Sequence, residues 1–263
     1  MRAEGPDADA FYRSLFTEDP VWSTRHPNLE EANRVARILP RLSELARGRP
    51  EGLRILDVGC GRGWLTNLAD AYGECIGVEP VAGVVEFARG QFPALRFEVG
   101  TAADLVEAGE AGTYDVVIAS EVIEHVDETH RDQFVADLGT LLAPDGAVII
   151  TSDRGELYQR WRGREATTEQ PLESWLTEGQ VLKLFEEHGF VATHRDRAYF
   201  PVPEISPFHR MLASRKVVRA FGATRQRWLL DGLRYIAANC QVWVFRLAPS
   251  PPAREPPRAR RTP

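Results

Sequence analysis

The chain has 263 residues, of which 43% are hydrophobic and 27% are charged, and its formal net charge is −6. This composition is typical of a folded globular protein and excludes wholesale disorder or a protein built of membrane-spanning helices. The length suits one large domain with an insertion or an appendage. The acidic net charge disfavours non-specific binding to nucleic acid or to an anionic bilayer.

The cysteines and the first residues indicate where the protein is expected to work. Cys60, Cys75 and Cys240 are widely spaced and form no C-x-x-C pair, so neither a disulfide framework nor a structural zinc site is indicated. The first residues are polar, and no apolar stretch of the sequence reaches the roughly 18 residues of a spanning helix. We therefore predict a cytoplasmic protein.

The first predicted element is a helical cover over residues 1–50. Asn28 can cap a helix and Glu31 has the spacing of a capping box. Apolar residues then recur at helical intervals at Leu29, Val35, Ile38, Leu42 and Leu45. Pro40 is expected to kink or split this helix.

Five short apolar runs follow, separated by stretches with helical periodicity. This order is typical of βαβ units that build a parallel sheet covered on both faces. The predicted strands are Leu53–Val58, Cys75–Glu79, Arg96–Gly100, Tyr114–Ser120 and Ala147–Ser152.

The last third of the sequence is predicted to add a lid, two more strands and a tail. The charged and aromatic residues 153–173 are expected to form a lid or binding loop. A helix over Leu176–His188 is predicted to end at Gly189. Strands are predicted over Val191–Phe200 and Gln241–Leu247, with a helical insertion at residues 201–239 between them. Residues 51–248 are thus expected to form one domain, and the Pro/Arg-rich residues 249–263 a disordered tail.

The first predicted strand runs into a glycine-rich turn at Gly59, Gly61 and Gly63. Glycines there allow a tight turn and let a ligand approach the backbone, although such a turn also fits a plain strand-to-helix connection. Glu79 follows Gly59 by 20 residues and closes the second strand. A carboxylate at that position can bind a ribose diol.

Together these features resemble the class I S-adenosylmethionine-dependent methyltransferases. Four motifs carry the resemblance: LDVGCGRG at 56–63, GVEP at 77–80, YDVVIASEVIEHV at 114–126 and LLAPDGAVIIT at 141–151. The resemblance implies an α/β, Rossmann-like fold, with a seven-stranded, mostly parallel sheet, helices on both faces and a helical insertion before an antiparallel last strand. It also implies S-adenosylmethionine as the cofactor.

The resemblance further assigns the cofactor site. Asp57, Gly59 and Gly61 would hold the amino-acid end, and Glu79 the ribose. Family members often place an Asp after the third strand to bind adenine, but this sequence has Thr101, so that contact would fall to Thr101 or to Asp104. The complete predicted cofactor set is Asp57, Gly59, Cys60, Gly61, Glu79, Pro80, Thr101, Ala102, Ser120 and Glu121.

His125 is the candidate general base. Methyl transfer is an in-line displacement that needs alignment in a desolvated site, and a hydroxyl acceptor must also lose its proton, for which a neutral imidazole is suited. A capping or packing role for His125 is the alternative. Glu121, Glu124 and His125 also have a spacing that could hold a divalent metal, resembling the metal segment of small-RNA 3′-end methyltransferases. Only Glu169 stands where a fourth ligand is needed, so a metal is not favoured.

The motifs most resemble those of ubiquinone-type and natural-product small-molecule O-methyltransferases. This resemblance implies methyl transfer to a hydroxyl of a small natural-product, sugar or quinone-like molecule. An N-methyltransferase acting on an amino sugar or amine remains an alternative. An NAD(P)-binding oxidoreductase is disfavoured because its glycines follow G-x-G-x-x-G. Several further residues are singled out as candidates for the acceptor pocket or for the cover: Tyr158, Trp161 and Trp175, and Trp22, Arg25 and His26.

The late insertion carries a cationic run whose members are Arg210, Arg215, Lys216 and Arg219. At helical spacing such residues usually form a solvated face, so we interpret them in that way. Neither a nucleic acid nor a membrane is expected as a partner.

Overall fold

The protein is described by a computed structural model that covers residues 6–157, 171, 173–198, 211–212 and 214–249. A seven-stranded sheet forms its centre. The strands are β1 Leu53–Val58, β2 Gly73–Glu79, β3 Arg96–Val99, β4 Tyr114–Ser120, β5 Leu142–Asp153, β6 Phe190–Ala198 and β7 Cys240–Leu247. Their order across the sheet is β3-β2-β1-β4-β5-β7-β6.

Strands β1 to β5 pair in parallel, whereas β7 is antiparallel to both β5 and β6. The predicted mixed sheet is therefore confirmed. Successive strands are added outward from β1 in one direction and from β4 in the other, so the order reverses between β1 and β4. In open α/β sheets ligands bind outside the carboxyl ends of the strands at this reversal.

Helices cover both faces of the sheet. They are α1 Pro6–Thr17, α2 Leu29–Leu45, α3 Trp64–Ala69, α4 Ala82–Gln91, α5 Ala102–Glu107, α6 Arg131–Leu141, α7 Glu178–Glu187, α8 Arg215–Phe221 and α9 Ala223–Ala237. Neighbouring strand residues point to opposite faces: Leu56 and Val117 pack into one core, and Ile55 and Ile118 into the other. Among the described helices, none is long and apolar enough to cross a membrane.

The predicted strands are all present, but several ends differ. β2 begins two residues earlier, and β5 extends over 12 residues because its start pairs with Tyr114 across a register shift. The predicted helix Leu176–His188 is shorter, since Thr177 caps it in a capping box with Gln180. Gly189 follows it with φ +78, the left-handed conformation expected after a helix end.

The N-terminal region differs more from expectation. Helix α1 lies within the predicted helical cover of residues 1–50, but its bounds were not predicted; its apolar residues line a cavity. In α2 the predicted capping box is confirmed: Asn28 accepts from the Glu31 amide at 2.9 Å and donates its own amide to Glu31 Oε2 at 2.7 Å. Of the two outcomes expected at Pro40, the split is wrong, since α2 runs through this residue with Ile38 and Leu42 fully buried on either side, and the kink stays a prediction.

Arg62, in the glycine-rich turn, joins this N-terminal region to the sheet. Its guanidinium donates to both carboxylate oxygens of Glu31, at 2.7 and 2.6 Å, and to the Thr24 carbonyl at 2.6 Å. Both side chains are almost completely buried, at 1% and 2% exposure. A bidentate pair of this kind fixes the relative orientation of the two segments it connects.

The helical insertion before β7 is confirmed by α8 and α9, which Gly222 separates. Several parts of the predicted segments lie outside the described residues: 1–5 of the cover, 158–170 and 172 of the lid, 199–200 of the strand Val191–Phe200, 201–210 and 213 of the insertion, and 250–263 of the tail. The division into a cover, one domain, a lid and a tail stays a prediction.

Replacing Arg62 with Met is expected to destabilise the fold by about 3–5 kcal/mol, because it leaves the Glu31 carboxylate buried without its partner. Adding Glu31→Gln, which keeps an oxygen for the capping box, should recover part of this loss. Urea unfolding of the two single variants and the double variant measures the coupling. Strictly additive losses would show that the pair does not act as a unit.

Candidate functional site

A cavity of about 1090 Å³ lies outside the carboxyl ends of β1, β2 and β4. Ligand sites usually enclose roughly 300–1,000 Å³, so this cavity has room for a cofactor and a second molecule. Every residue of the predicted cofactor set lines it, and so does His125. The structure therefore brings the sequence-predicted residues together in one site.

The glycine-rich turn shapes one wall of the cavity. Gly59 and Gly63 have φ of +67 and +83, and a Cβ on either would come within 2.6 Å of a neighbouring side chain, from Val122 and Phe97 respectively. The amides of Gly59 and Cys60 donate to the Val78 carbonyl at 2.8 and 3.1 Å. Only glycine fits at positions 59 and 63, because both the positive φ and the lack of space exclude a side chain there.

Glu79 is held at the end of β2 by two backbone amides. Its Oε2 accepts from Gly61 at 3.2 Å and its Oε1 from Val81 at 3.1 Å. Burial raises the pKa of Glu79 to about 7; the two amides lower it in part, and nearby Asp57 raises it further. Each carboxylate oxygen retains a second lone pair that can accept from a ligand hydroxyl.

Asp57 is the second buried carboxylate of this wall. It is 2% exposed, and its Oδ2 accepts from the Thr66 hydroxyl of α3 at 2.7 Å. Burial raises the pKa of Asp57 to about 7, although the hydrogen bonds from Thr66 act in the opposite direction. The fold thus holds two carboxyl groups near the cavity at a cost in desolvation.

The two residues proposed for the adenine contact are engaged with each other. Thr101 caps α5, its amide donates to Asp104 Oδ2 at 2.8 Å, and its hydroxyl donates to the same oxygen at 2.9 Å. Gly100, Thr101 and Ala102 still line the cavity. The structure thus gives this hydroxyl and carboxylate a role in the helix cap.

Glu121 directly follows β4 and adopts φ +56, an unusual conformation for a residue with a side chain. Its Oε1 accepts from the Thr151 hydroxyl at 2.8 Å and from the Cys240 thiol at 3.3 Å. Because Thr151 uses its proton in this bond, the Ser120 hydroxyl donates to Thr151 at 2.9 Å. This network joins the ends of three neighbouring strands and fixes the carboxylate at the cavity.

Glu124 and Arg34 contribute buried polar atoms to the wall. Glu124 is 2% exposed, and its Oε2 has no hydrogen-bond partner among the described residues. Burial, together with the charges of Glu121 and Asp153, raises the pKa of Glu124 well above its usual range. Arg34 is 6% exposed and lies 3.8 Å from both Glu30 and Glu121.

His125 contacts helix α1. The Tyr12 hydroxyl lies 3.3 Å from His125 Nδ1, and the two rings meet edge to face with centroids 5.9 Å apart. Burial raises the pKa of Tyr12, and the charges of Glu173, Glu79 and Glu124 raise it further. The phenol therefore stays protonated over the physiological range.

Helix α1 also supplies apolar rings to the cavity. The lining includes Phe11, Phe16 and Leu15, together with Trp22 from the following segment. Sequence reasoning missed Tyr12 although a signal was present: Phe11, Tyr12, Leu15 and Phe16 recur at intervals that place them on one side of a helix.

The remaining candidates have other positions. Arg25 stacks over the Phe92 ring at 5.1 Å, and the His26 carbonyl accepts from Arg62. Trp175 donates to Glu173 at 3.0 Å and is not among the residues that line the cavity. Tyr158, Trp161 and Glu169 lie outside the described residues. In the part of the chain that the structure describes, no group of three acidic, histidine or cysteine side chains is arranged to hold a metal ion. Glu121, Glu124 and His125 therefore do not form such a group.

Comparisons with known proteins agree with this geometry. A family model described as a methyltransferase domain matches residues 28–195. Ubiquinone biosynthesis O-methyltransferase of Azorhizobium caulinodans is 37% identical over 107 residues, which is 39% of this chain and 41% of that protein. The mitochondrial enzyme of the same name from Mus musculus is 35% identical over 114 residues, 40% of this chain and 30% of that protein. The chain thus spans less than half the length of these relatives.

Among solved structures, magnesium protoporphyrin IX methyltransferase from Synechocystis PCC 6803 with bound S-adenosylmethionine superposes with a TM-score of 0.57. The alignment covers 93% of this chain and 99% of the other, at 15% identity. At that identity the likeness concerns the fold.

Glu79→Gln tests the cost of the buried carboxylate. Burial raises the pKa of the Glu79 carboxyl from 4.5 to about 7, so the folded state favours the protonated form. The resulting gain in folding free energy is fully present below pH 4.5 and is lost as the pH rises to about 7. We expect the ligand-free variant to gain up to about 3 kcal/mol over the parent at pH 8 and little at pH 4. Unfolding measured at both values checks this, and an equal difference at the two pH values would contradict it.

Proposed function

The chain belongs to the class I S-adenosylmethionine-dependent methyltransferases, and we propose that it transfers the methyl group to a hydroxyl of a small, neutral, quinone-like molecule. One observation carries the proposal. A single cavity contains both the buried carboxylates at the ends of β1 and β2 and the Tyr12–His125 pair beyond the end of β4. The first group suits the cofactor, and the second suits deprotonation of an acceptor.

The charges of the cavity fit the cofactor. S-adenosylmethionine supplies a methyl group on a positively charged sulfur. Asp57 and Glu79 are buried carboxyl groups whose pKa values rise to about 7 because burial desolvates them. A cationic ligand would favour their ionised forms. In this assignment Glu79 accepts from the ribose hydroxyls and Asp57 faces the amino-acid end.

His125 would remove the proton of the acceptor hydroxyl. This role requires the Nδ1–H tautomer, which donates to the Tyr12 oxygen and places the basic lone pair on Nε2. Tyr12 can accept that hydrogen bond, since a phenol oxygen both donates and accepts. The pair thus links the cover helix to proton removal, and Tyr12 acts as a positioning residue.

The lining favours a neutral, flat acceptor. Aromatic rings of Phe11, Phe16 and Trp22 offer faces for an apolar ring. Among the described lining residues ten are acidic and two, Arg34 and Arg62, are basic, so a phosphate or carboxylate on the acceptor would be repelled. The neutral form of Glu124, which its raised pKa favours, can donate to an acceptor carbonyl or hydroxyl. The two curated relatives, named for ubiquinone biosynthesis, support the same acceptor class.

The acceptor class is tested with methyl-labelled S-adenosylmethionine and paired small phenols. A neutral dihydroxybenzene or hydroquinone is expected to gain one methyl group on oxygen, detected by mass spectrometry, whereas its carboxylated analogue should react at least about tenfold more slowly. Preference for the carboxylated compound, or methylation of the matching amine but not of the phenol, would contradict the proposal.

Glu79→Ala is expected to weaken cofactor binding by about 1–3 kcal/mol through loss of charge-assisted hydrogen bonds. Calorimetric titration measures the affinity. Glu74→Ala, which removes an exposed carboxylate from the same strand, is the matched control and should bind like the parent. Unchanged affinity in Glu79→Ala would place the ribose elsewhere.

His125→Ala should lower the rate of methyl transfer by about 10²–10⁴-fold while cofactor affinity persists. Tyr12→Phe should cause a smaller loss and alter the pH dependence of the rate. His194→Ala, on β6 and away from the cavity, serves as the control. A rate unaffected by His125→Ala would assign this histidine to packing.

A further inference from the structure

Helices α8 and α9 carry a surface that differs from the rest of the molecule. Eleven large hydrophobic side chains are exposed among the described residues, and six of them lie between residues 211 and 236. They are Met211 (54% exposed), Phe221 (61%), Trp228 (77%), Leu229 (39%), Tyr235 (42%) and Ile236 (68%). We refer to these six and the exposed cations of the two helices as the α8–α9 surface.

The apolar residues of α9 form a stripe. Trp228, Gly232 and Ile236 follow each other at intervals of four, and Leu229 lies beside Trp228, so their side chains share one side of the helix over two turns. In a soluble domain such a stripe normally packs against the core. Here Trp228 and Ile236 are instead the most exposed large hydrophobic side chains of the described chain.

The same two helices also carry exposed positive charge. Among the described side chains of the two helices, the exposed cations are Arg215, Lys216, Arg219, Arg225 and Arg227. The one acidic residue between positions 211 and 237 is Asp231, which lies 3.7 Å from Arg227. Within the described ranges, no carboxylate forms an ion pair with any of the other four cations. A strongly basic patch therefore stands on a chain with a net charge of −6.

Hydrogen bonds attach the C-terminal end of α9 to the rest of the domain. Arg154 donates to the Ala238 carbonyl at 2.7 Å, and Arg197 donates to the Tyr235 carbonyl at 3.2 Å and stacks on its ring at 4.5 Å. Both arginines pair with Glu178. Burial alone would raise the pKa of Glu178, but hydrogen bonds from Arg197 and Arg195 lower it below its usual value, so the anchor stays charged.

This attachment lies at the same edge of the sheet as the cavity, beside the carboxyl end of β5. The end of α9 leads through Ala238 into Cys240, which pairs with Asp153 at the carboxyl end of β5. The Cys240 thiol is 3.3 Å from Glu121, a residue of the cavity wall. The stripe and the site therefore share one end of the molecule.

We propose that the α8–α9 surface docks on an anionic lipid bilayer. Exposed Trp and aliphatic side chains beside Arg and Lys are the combination that binds the headgroup boundary: the apolar stripe enters it and the cations meet lipid phosphates. A nucleic acid would use the cations but not Ile236 and Leu229, and the core of a protein interface is depleted in charged residues. The positive patch complements an anionic leaflet, although the whole chain is acidic. This docking does not depend on the identity of the methyl acceptor.

Co-sedimentation of the full chain with vesicles tests the proposal. We expect binding to vesicles of phosphatidylcholine mixed with phosphatidylglycerol and at least about tenfold weaker binding to phosphatidylcholine alone. Trp228→Ser with Ile236→Ser should reduce binding to the mixed vesicles by about tenfold or more, and so should Arg215→Gln with Lys216→Gln and Arg219→Gln. Leu29→Ser with Val99→Ser, which removes two exposed apolar side chains elsewhere, should bind like the parent.

Unfolding temperature and cofactor affinity of the same variants show that they are folded, since none of the substituted residues lines the cavity. Absence of vesicle binding by the parent, or equal binding to neutral vesicles, would overturn the proposal. It would also be overturned if Trp228→Ser with Ile236→Ser converted a dimer to a monomer without changing vesicle binding, because the stripe would then cover a second copy. The proposal would also be overturned if the parent shifted the mobility of RNA but did not bind vesicles, and if the variant Arg215→Gln with Lys216→Gln and Arg219→Gln lost that shift.

Discussion

The buried pair of Arg62 and Glu31 is the contact on which the site depends. Arg62 lies in the turn after β1, and Glu31 belongs to the first turn of α2, where it also completes the capping box with Asn28. The same guanidinium holds the Thr24 carbonyl. One side chain therefore fixes the cofactor-side turn, the start of α2 and the segment that follows α1. Since α1 supplies Tyr12, this geometry also places the partner of His125.

The site contains several groups that destabilise the fold, through desolvation of carboxyl groups or through backbone strain. Asp57, Glu79 and Glu124 are buried carboxyl groups with raised pKa values, and Glu121 adopts a left-handed backbone conformation. Perturbed groups gathered in a cavity at the sheet's reversal are typical of a functional site. In the function that we propose, a cationic cofactor gives the carboxylates at β1 and β2 a purpose, and recognition of a neutral acceptor gives one to Glu124.

The central sheet and the grouping of the predicted cofactor residues around one cavity could be predicted because local signals specify them. The glycine turn, the carboxylate at Glu79 and the alternation of apolar runs are contained in short stretches of sequence. Tyr12, Arg34 and Arg62 could not be assigned in this way, since their roles arise from contacts between segments far apart in the chain. Thr101 illustrates the same limit: its type suggested a ligand contact, and the fold uses its hydroxyl in a helix cap. Net charge was also a poor guide, because an acidic cavity and a basic helical pair are averaged in a single value of −6.

The account rests on a cavity made for a cationic nucleoside, enclosed by α1 and fixed by Arg62. Calorimetric titration of the full chain with S-adenosylmethionine and, separately, with NAD and NADP tests this most directly, because all share an adenosine but differ in charge and length. The account predicts saturable binding of one S-adenosylmethionine per chain and no measurable heat with either dinucleotide. Binding of a dinucleotide without binding of S-adenosylmethionine would contradict it.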